Sequence, residues 1–255
     1  MTRPIYIIEC VSQGCSYEIR VNDVWAFSEY GNEDVSLQFP INNLILQSGV
    51  QTLSIIIHSF LANGQKKPSL SILLERYDVD LQEMDLPQDP ASIIHYNHIM
   101  GSPNVMVHTF TAIVPYHFEA WSNSTDLTKV NNLPSLVLQA CNGYYTMIKE
   151  GRYEEFFSII ENHDNFVATS LYWNITKEQQ NYRKEDFLGL LQDGYNFSLP
   201  SKSDRLVLYG YSHLVRYVKQ DGTSAIALHN DETNDDYSMD LYFHLPEKQS
   251  ILQLI

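Results

Sequence analysis

The chain lacks any apolar run long enough to cross a bilayer as a helix. Its most apolar stretch, INNLILQSGVQTLSIIIHSF (Ile41–Phe60), is interrupted by Asn42, Asn43, Gln47, Ser48, Gly49, Gln51 and Thr52. A helical span needs ~18–20 apolar residues in a row, so membrane insertion is not expected. Basic residues are scarce: 16 Lys and Arg face 31 Asp and Glu, for a net charge of -15. Residues 1–130 hold 6 basic and 14 acidic side chains, residues 131–255 hold 10 and 17, so the acidity is no terminal tail. A field of that sign repels nucleic acid and anionic surfaces and favours cations or a basic protein partner. Cysteine is nearly absent, with Cys10, Cys15 and Cys141 alone. Three cysteines make no disulfide framework; a Cys10–Cys15 bridge across VSQG stays open as an alternative to the favoured free thiols. The recurrent catalytic signatures are missing too: there is no G-x-S-x-G, no P-loop, no dinucleotide fingerprint and no His-Glu-x-x-His.

The start, MTRPIYIIECVSQGC, lacks the longer apolar stretch and small-residue cleavage site of a signal peptide. The expectation is a cytoplasmic protein, or a periplasmic one if the chain is a mature form with an added Met.

What is present is strand periodicity. In the apolar stretch, Ser48-Gly49 signals a turn, after which Leu53, Ile55 and Ile57 alternate with Ser54, Ile56 and His58. Alternation with β-branched enrichment predicts a strand, here a central one. YIIEC (Tyr6–Cys10), SYEIRVN (Ser16–Asn22), SLSILLERY (Ser69–Tyr77) and VMVHTFTAIV (Val105–Val114) read the same way, separated by turn residues. Many strands without helical periodicity predict an antiparallel β-sandwich over residues 1–125. The polar stretch Trp121–Pro134 reads as a linker or domain edge.

Beyond Pro134 the period changes. Val137, Cys141, Tyr144 and Ile148 recur at helical spacing, and Tyr153, Phe156, Phe157 and Ile160 form a second apolar face after a break at Gly151. Thr176 and Gln179 match a capping box that opens a third helix, with Gly194 as its stop. From Arg205 the strands return as RLVLYGY, LVRYVK, SAIALH, YSMDLYFHLP and ILQLI, with Asp221-Gly222 a hairpin signal. The fold class is therefore α+β, with helices followed by an antiparallel meander over residues 134–255.

Three resemblances attach to these segments. YEIRVND…FPINNLILQSGVQTLSIII resembles bacterial accessory and carbohydrate-binding sandwich modules. YYTMIKEGRYEEFF and LVRYVKQDGTSAIAL look like the NTF2-like fold, which hosts enzymes, binding modules and immunity proteins alike. The two-part layout, with its acidity, looks like the immunity or accessory partners of secreted bacterial toxins. That last resemblance implies a non-enzymatic protein that binds a basic partner and needs no cofactor.

Candidate site residues fall into clusters. Asp231, Glu232, Asp235 and Asp236 lie between two predicted strands, and Asp78, Asp80 and Glu83 open DVDLQEMDLPQD, which Asp85 and Asp89 continue. Neither run has the glycine and spaced glutamate of a calcium loop, so both are expected as patches for a basic partner. His95, His98 and His108 lack matched zinc spacing, so no metal site is expected, and the HYNH run that holds His95 and His98 reads as a polar connecting loop. Asp240, Tyr242 and His244 share one face of a predicted strand, where Asp240 and His244 would serve an NTF2-like enzyme as an acid–base pair. A small-molecule or carbohydrate-binding module is the other alternative. Trp25, Trp121 and Trp173 are expected in cores or at a domain interface.

Overall fold

Alternating side chains build the first part of the molecule. The computed structural model describes residues 3–31, 33–60, 68–79, 90–97 and 104–255. The chain divides into two compact units: unit 1 is Met1–Phe118 with Ser170–Tyr172, and unit 2 is Glu119–Thr169 with Trp173–Ile255. The fold is α+β, with antiparallel sheets throughout and three helices in the second half.

Unit 1 holds β1 (Arg3–Gln13), β2 (Cys15–Val21), β3 (Val24–Glu29), β4 (Val35–Pro40), β5 (Gly49–Phe60), β6 (Ser69–Val79), β7 (Ala91–Asn97) and β8 (Val105–Ala112). They form two four-stranded sheets, β4-β1-β6-β7 and β3-β2-β5-β8. Tyr6, Ile8, Cys10, Ile72 and Leu74 of the first sheet and Tyr17, Ile19, Leu53 and Ile55 of the second are buried. They recur at every second position along β1, β2, β5 and β6 and so share one face of each sheet, and those faces make the sandwich core. The rings of Tyr6 and Phe110, one from each sheet, lie 6.0 Å apart. The apolar stretch Ile41–Phe60 is thus a short 3₁₀ turn (Asn42–Leu44) followed by the interior strand β5.

Gly14 sits at φ +58° between β1 and β2, a left-handed conformation that glycine adopts without strain. The turn there is no hairpin. It carries the chain from one sheet to the other, so Cys10 Sγ lies 2.9 Å from the Tyr17 hydroxyl across the core. Cys10, Cys15 and Cys141 are all free and buried. Burial pushes the thiols of Cys10 and Cys15 up to about 11 and that of Cys141 up to about 12.

Unit 2 holds α1 (Leu133–Lys149), most of α2 (Tyr153–Ser170), and α3 (Lys177–Gln192). Seven short strands follow: β9 (Asn196–Ser198), β10 (Arg205–Tyr209), β11 (Leu214–Val218), β12 (Ala227–Asn230), β13 (Asp235–Ser238), β14 (Phe243–His244) and β15 (Gln253–Leu254). They form two small sheets, β13-β12-β9 and β10-β11-β14-β15. α1 buries Leu133, Val137, Cys141, Tyr144 and Ile148, the spacing that the sequence displays. These meet Phe156, Phe157, Phe187, Leu228 and Phe243 in one core. The predicted capping box is made in full: Gln179 N–H donates to Thr176 Oγ1, and Thr176 N–H to Gln179 Oε1.

Three local expectations are corrected. Trp121–Pro134 lies just past the boundary between the units at Phe118 and Glu119, yet it is packed and not a bare linker: Trp121, Ser124, Leu127 and Leu133 are buried. Their wide spacing among polar residues hid them. His95 lies on strand β7, not in a loop, and the flanking Pro90 and Gly101 had suggested otherwise. The predicted strand YSMDLYFHLP breaks into β13 and β14, because Leu241 N–H donates to Met239 O at 2.9 Å and the backbone bends at Asp240.

Candidate functional site

A groove of about 650 Å³ opens in unit 2. Its walls come from α2 (Phe157, Ile160, Glu161, His163, Asp164), from α3 (Gln180 to Leu190), and from Tyr237–Leu241 with Leu254 and Ile255. Such a volume suits a small ligand or the side chains of a bound segment.

The α3 wall is attached mainly by polar contacts along its first half and by apolar ones near its end. Among its residues only Phe187 is buried. Elsewhere it reaches α2 through Gln180 to Glu161 (2.7 Å), Lys184 to Glu154 (2.8 Å) and an ion pair of Arg183 with Asp164. The two helices also meet through Phe187, whose ring lies 5.3 Å from those of Phe156 and Phe157. Gly189 contributes to the space of the groove: a Cβ built there would meet nothing within 4 Å.

His163 projects from α2 into this wall. Burial lowers its pKa, while Asp164, the Ile255 backbone and Asp240 act in the raising direction and Arg183 in the lowering one. Its Nδ1 is buried and has no hydrogen-bond partner among the described residues. Opposite, Asp240 accepts from Arg216 Nη1 at 2.8 Å. Arg216 is 1% exposed and lies between the rings of Tyr209 and Tyr242, 5.4 and 5.1 Å from their centroids. A buried guanidinium requires such a carboxylate and such π faces, so Asp240 is fixed from beneath.

The two residues of the postulated acid–base pair have separate partners. Asp240 pairs with Arg216, whereas His244 is buried, with Nδ1 2.7 Å from Ser124 Oγ. Burial lowers the His244 pKa.

The predicted acidic cluster Asp231, Glu232, Asp235 and Asp236 forms the exposed tip of the β12–β13 hairpin. Asp236 pairs with Lys219 (2.5 Å) and His229 (2.8 Å), Asp231 with His229 (3.4 Å), and Asp235 accepts from Tyr195 OH (2.7 Å). The Lys219 hydrogen bond lowers the Asp236 pKa. The hairpin runs directly into groove residues Tyr237 and Ser238. Asp78, at the end of β6, pairs with Arg76 at 2.9 Å. Asp80, Glu83, Asp85, Asp89 and His98 lie outside the described residues. His95 is bonded to Asn97 on β7, and His108 of β8 packs on Tyr96. No group of three or more potential metal ligands occurs among the described residues. Trp121 is buried, Trp25 half-buried, and Trp173 is 65% exposed, against the expectation for that residue.

Sequence reasoning missed the groove, whose walls are up to about 100 residues apart in the chain. It also missed a cluster in unit 1, where the buried Glu18 carboxylate accepts from Arg20 Nε (2.6 Å) and Tyr30 OH (2.9 Å). His58 stacks on Tyr30 at 5.1 Å. The alternation of Glu18 and Arg20 with Ile19 was the available signal, since it puts both charges on the outer face of β2.

Comparison of the chain with protein-family models, with curated proteins and with solved structures finds no match. No helix among the described residues is long and apolar enough to cross a membrane.

Proposed function

We propose that this chain is a non-enzymatic binding protein whose partner is a basic protein, met at the acidic hairpin of unit 2. The observation that carries this reading is the hairpin tip. It presents four exposed carboxylates, Asp231, Glu232, Asp235 and Asp236, on a chain of net charge -15. Charges placed on a rim steer encounter and fix register more than they add affinity. The separate partners of Asp240 and His244 favour binding over catalysis. In its sharpest form the partner is a secreted bacterial effector and this chain its immunity or accessory factor. The two-part layout supports that form.

The test is kinetic. With a basic protein captured from the native lysate and then purified, association with the full chain is followed by surface plasmon resonance across salt. At 0.1 M salt the screening length is about 10 Å, so the on-rate should fall at least ~10-fold between about 0.03 and 0.5 M, with a smaller change in the off-rate. Reversing all four hairpin carboxylates to Lys should lower the on-rate comparably. An on-rate indifferent to both would leave the acidity no role in recognition.

A second reading has its own support. The groove of about 650 Å³ is large enough for a small molecule, and retention of a low-molecular-weight compound through native purification, seen by mass spectrometry, would favour it.

A further inference from the structure

We infer that the groove beside α3 seats the apolar side chains of a lysine- or arginine-flanked segment of the protein partner; this rests on the binding reading above and gives it a second contact site. Three observations converge. The floor is apolar, with Ile160, Leu190 and Leu241 among its residues. The lining is acidic on balance: Glu185, Asp186 and Asp193 are exposed and have no ion pair among the described residues, whereas the lining cations Arg183 and Lys184 are matched by Asp164 and Glu154. An apolar floor under unmatched carboxylates complements an amphipathic cation and repels an anionic ligand.

Gly189 supplies the third. A glycine in a helix interior is unfavourable relative to alanine. Nothing in the fold requires it here: its φ is not positive, and a Cβ would meet open space. What its absent side chain does is widen the groove. A side chain at that position would project into the seat, so the glycine makes sense as room for an occupant.

The probes are three capped hexapeptides, Lys-Lys-Leu-Leu-Lys-Lys, Lys-Lys-Ser-Ser-Lys-Lys and Glu-Glu-Leu-Leu-Glu-Glu, titrated into the isotopically labelled full chain and followed by amide shifts. The lysine–leucine peptide should bind with sub-millimolar Kd and shift α3 and residues 237–241. The serine peptide should bind at least tenfold more weakly, and the glutamate peptide should not bind. Gly189→Met, which fills the seat, should weaken the lysine–leucine peptide at least tenfold. Gly189→Ala is the folding control and should raise Tm by about 2–4 °C. The pair Glu185→Lys and Asp186→Lys should cost at least threefold in affinity.

Absence of sub-millimolar binding by the lysine–leucine peptide overturns the inference. So does equal binding of leucine and serine peptides, or Gly189→Met leaving affinity within twofold. The same variants on the captured partner separate the two readings. If hairpin reversal weakens the partner and groove filling does not, the groove inference fails alone. If hairpin reversal has no effect while groove filling weakens binding, the acidic-hairpin reading fails and the groove stands.

Discussion

Helices α1 and α3 lie in the same unit and differ by one residue in length, yet they are held differently. α1 buries five side chains, Leu133, Val137, Cys141, Tyr144 and Ile148, along one stripe. α3 buries Phe187 alone, against Phe156 and Phe157 of α2, with Leu190 and Leu191 half-buried beside the core, and adds its capping box and polar contacts with α2. Burial of an apolar side chain stabilises by about 1.5–3 kcal/mol, whereas an exposed ion pair contributes ~0–1 kcal/mol. One helix is therefore part of the core, and the other is a wall set beside it. A wall held by weak contacts opens at low cost, and elements of that kind commonly carry binding.

The largest effect that sharpens this contrast comes from α1. Ile148→Ala removes a buried side chain and should destabilise by ~2–5 kcal/mol in urea unfolding. A loss below ~1 kcal/mol would put α1 in the same class as α3.

Next comes acid. Burial lowers the pKa values of His163 and His244, so the folded chain holds both imidazoles neutral where the unfolded chain, near 6.5, takes up protons. Stability is then fully present above about pH 6.5 and declines as pH falls from there toward the depressed folded values. Melting temperatures at pH 7.5 and 5.5 should show that drop, and His163→Gln should shrink it. An equal drop in the variant would assign the acid sensitivity to other groups.

Smaller still are the changes on α3. Thr176→Ala breaks the capping box and should cost about 1 kcal/mol. Arg183→Ala removes an ion pair whose arginine is 57% exposed, and should cost under ~1 kcal/mol. Chemical denaturation resolves the order, and an arginine loss exceeding that of Ile148→Ala would reverse the comparison.

The same division governs what could be read in the sequence. α1 was legible because its buried residues recur at helical spacing, and α3 because its cap is a local pattern from Thr176 to Gln179. The strand β5 was legible from Leu53, Ile55 and Ile57, and the acidic hairpin tip from charges between two apolar runs. The groove was not legible: its walls join residues 157–190 to residues 237–255, and the space at Gly189 depends on what α3 faces. Sheet membership was hidden as well. Gly14 reads as a hairpin turn, and only tertiary packing shows that it turns a corner between sheets. The break at Asp240, where Leu241 N–H turns back to Met239 O, leaves the alternation of YSMDLYFHLP intact and so has no local signal.

Hydrogen exchange on the native full chain tests the central claim that α1 is core and α3 a binding wall. Amides of Val137–Ile148 should exchange with protection near the global limit, and those of Gln180–Lys184 with protection at least ~100-fold lower. Adding the lysine–leucine peptide should raise protection in α3 and leave α1 unchanged. Equal protection of the two helices in the free chain, or an α3 whose protection the peptide does not change, would contradict the account.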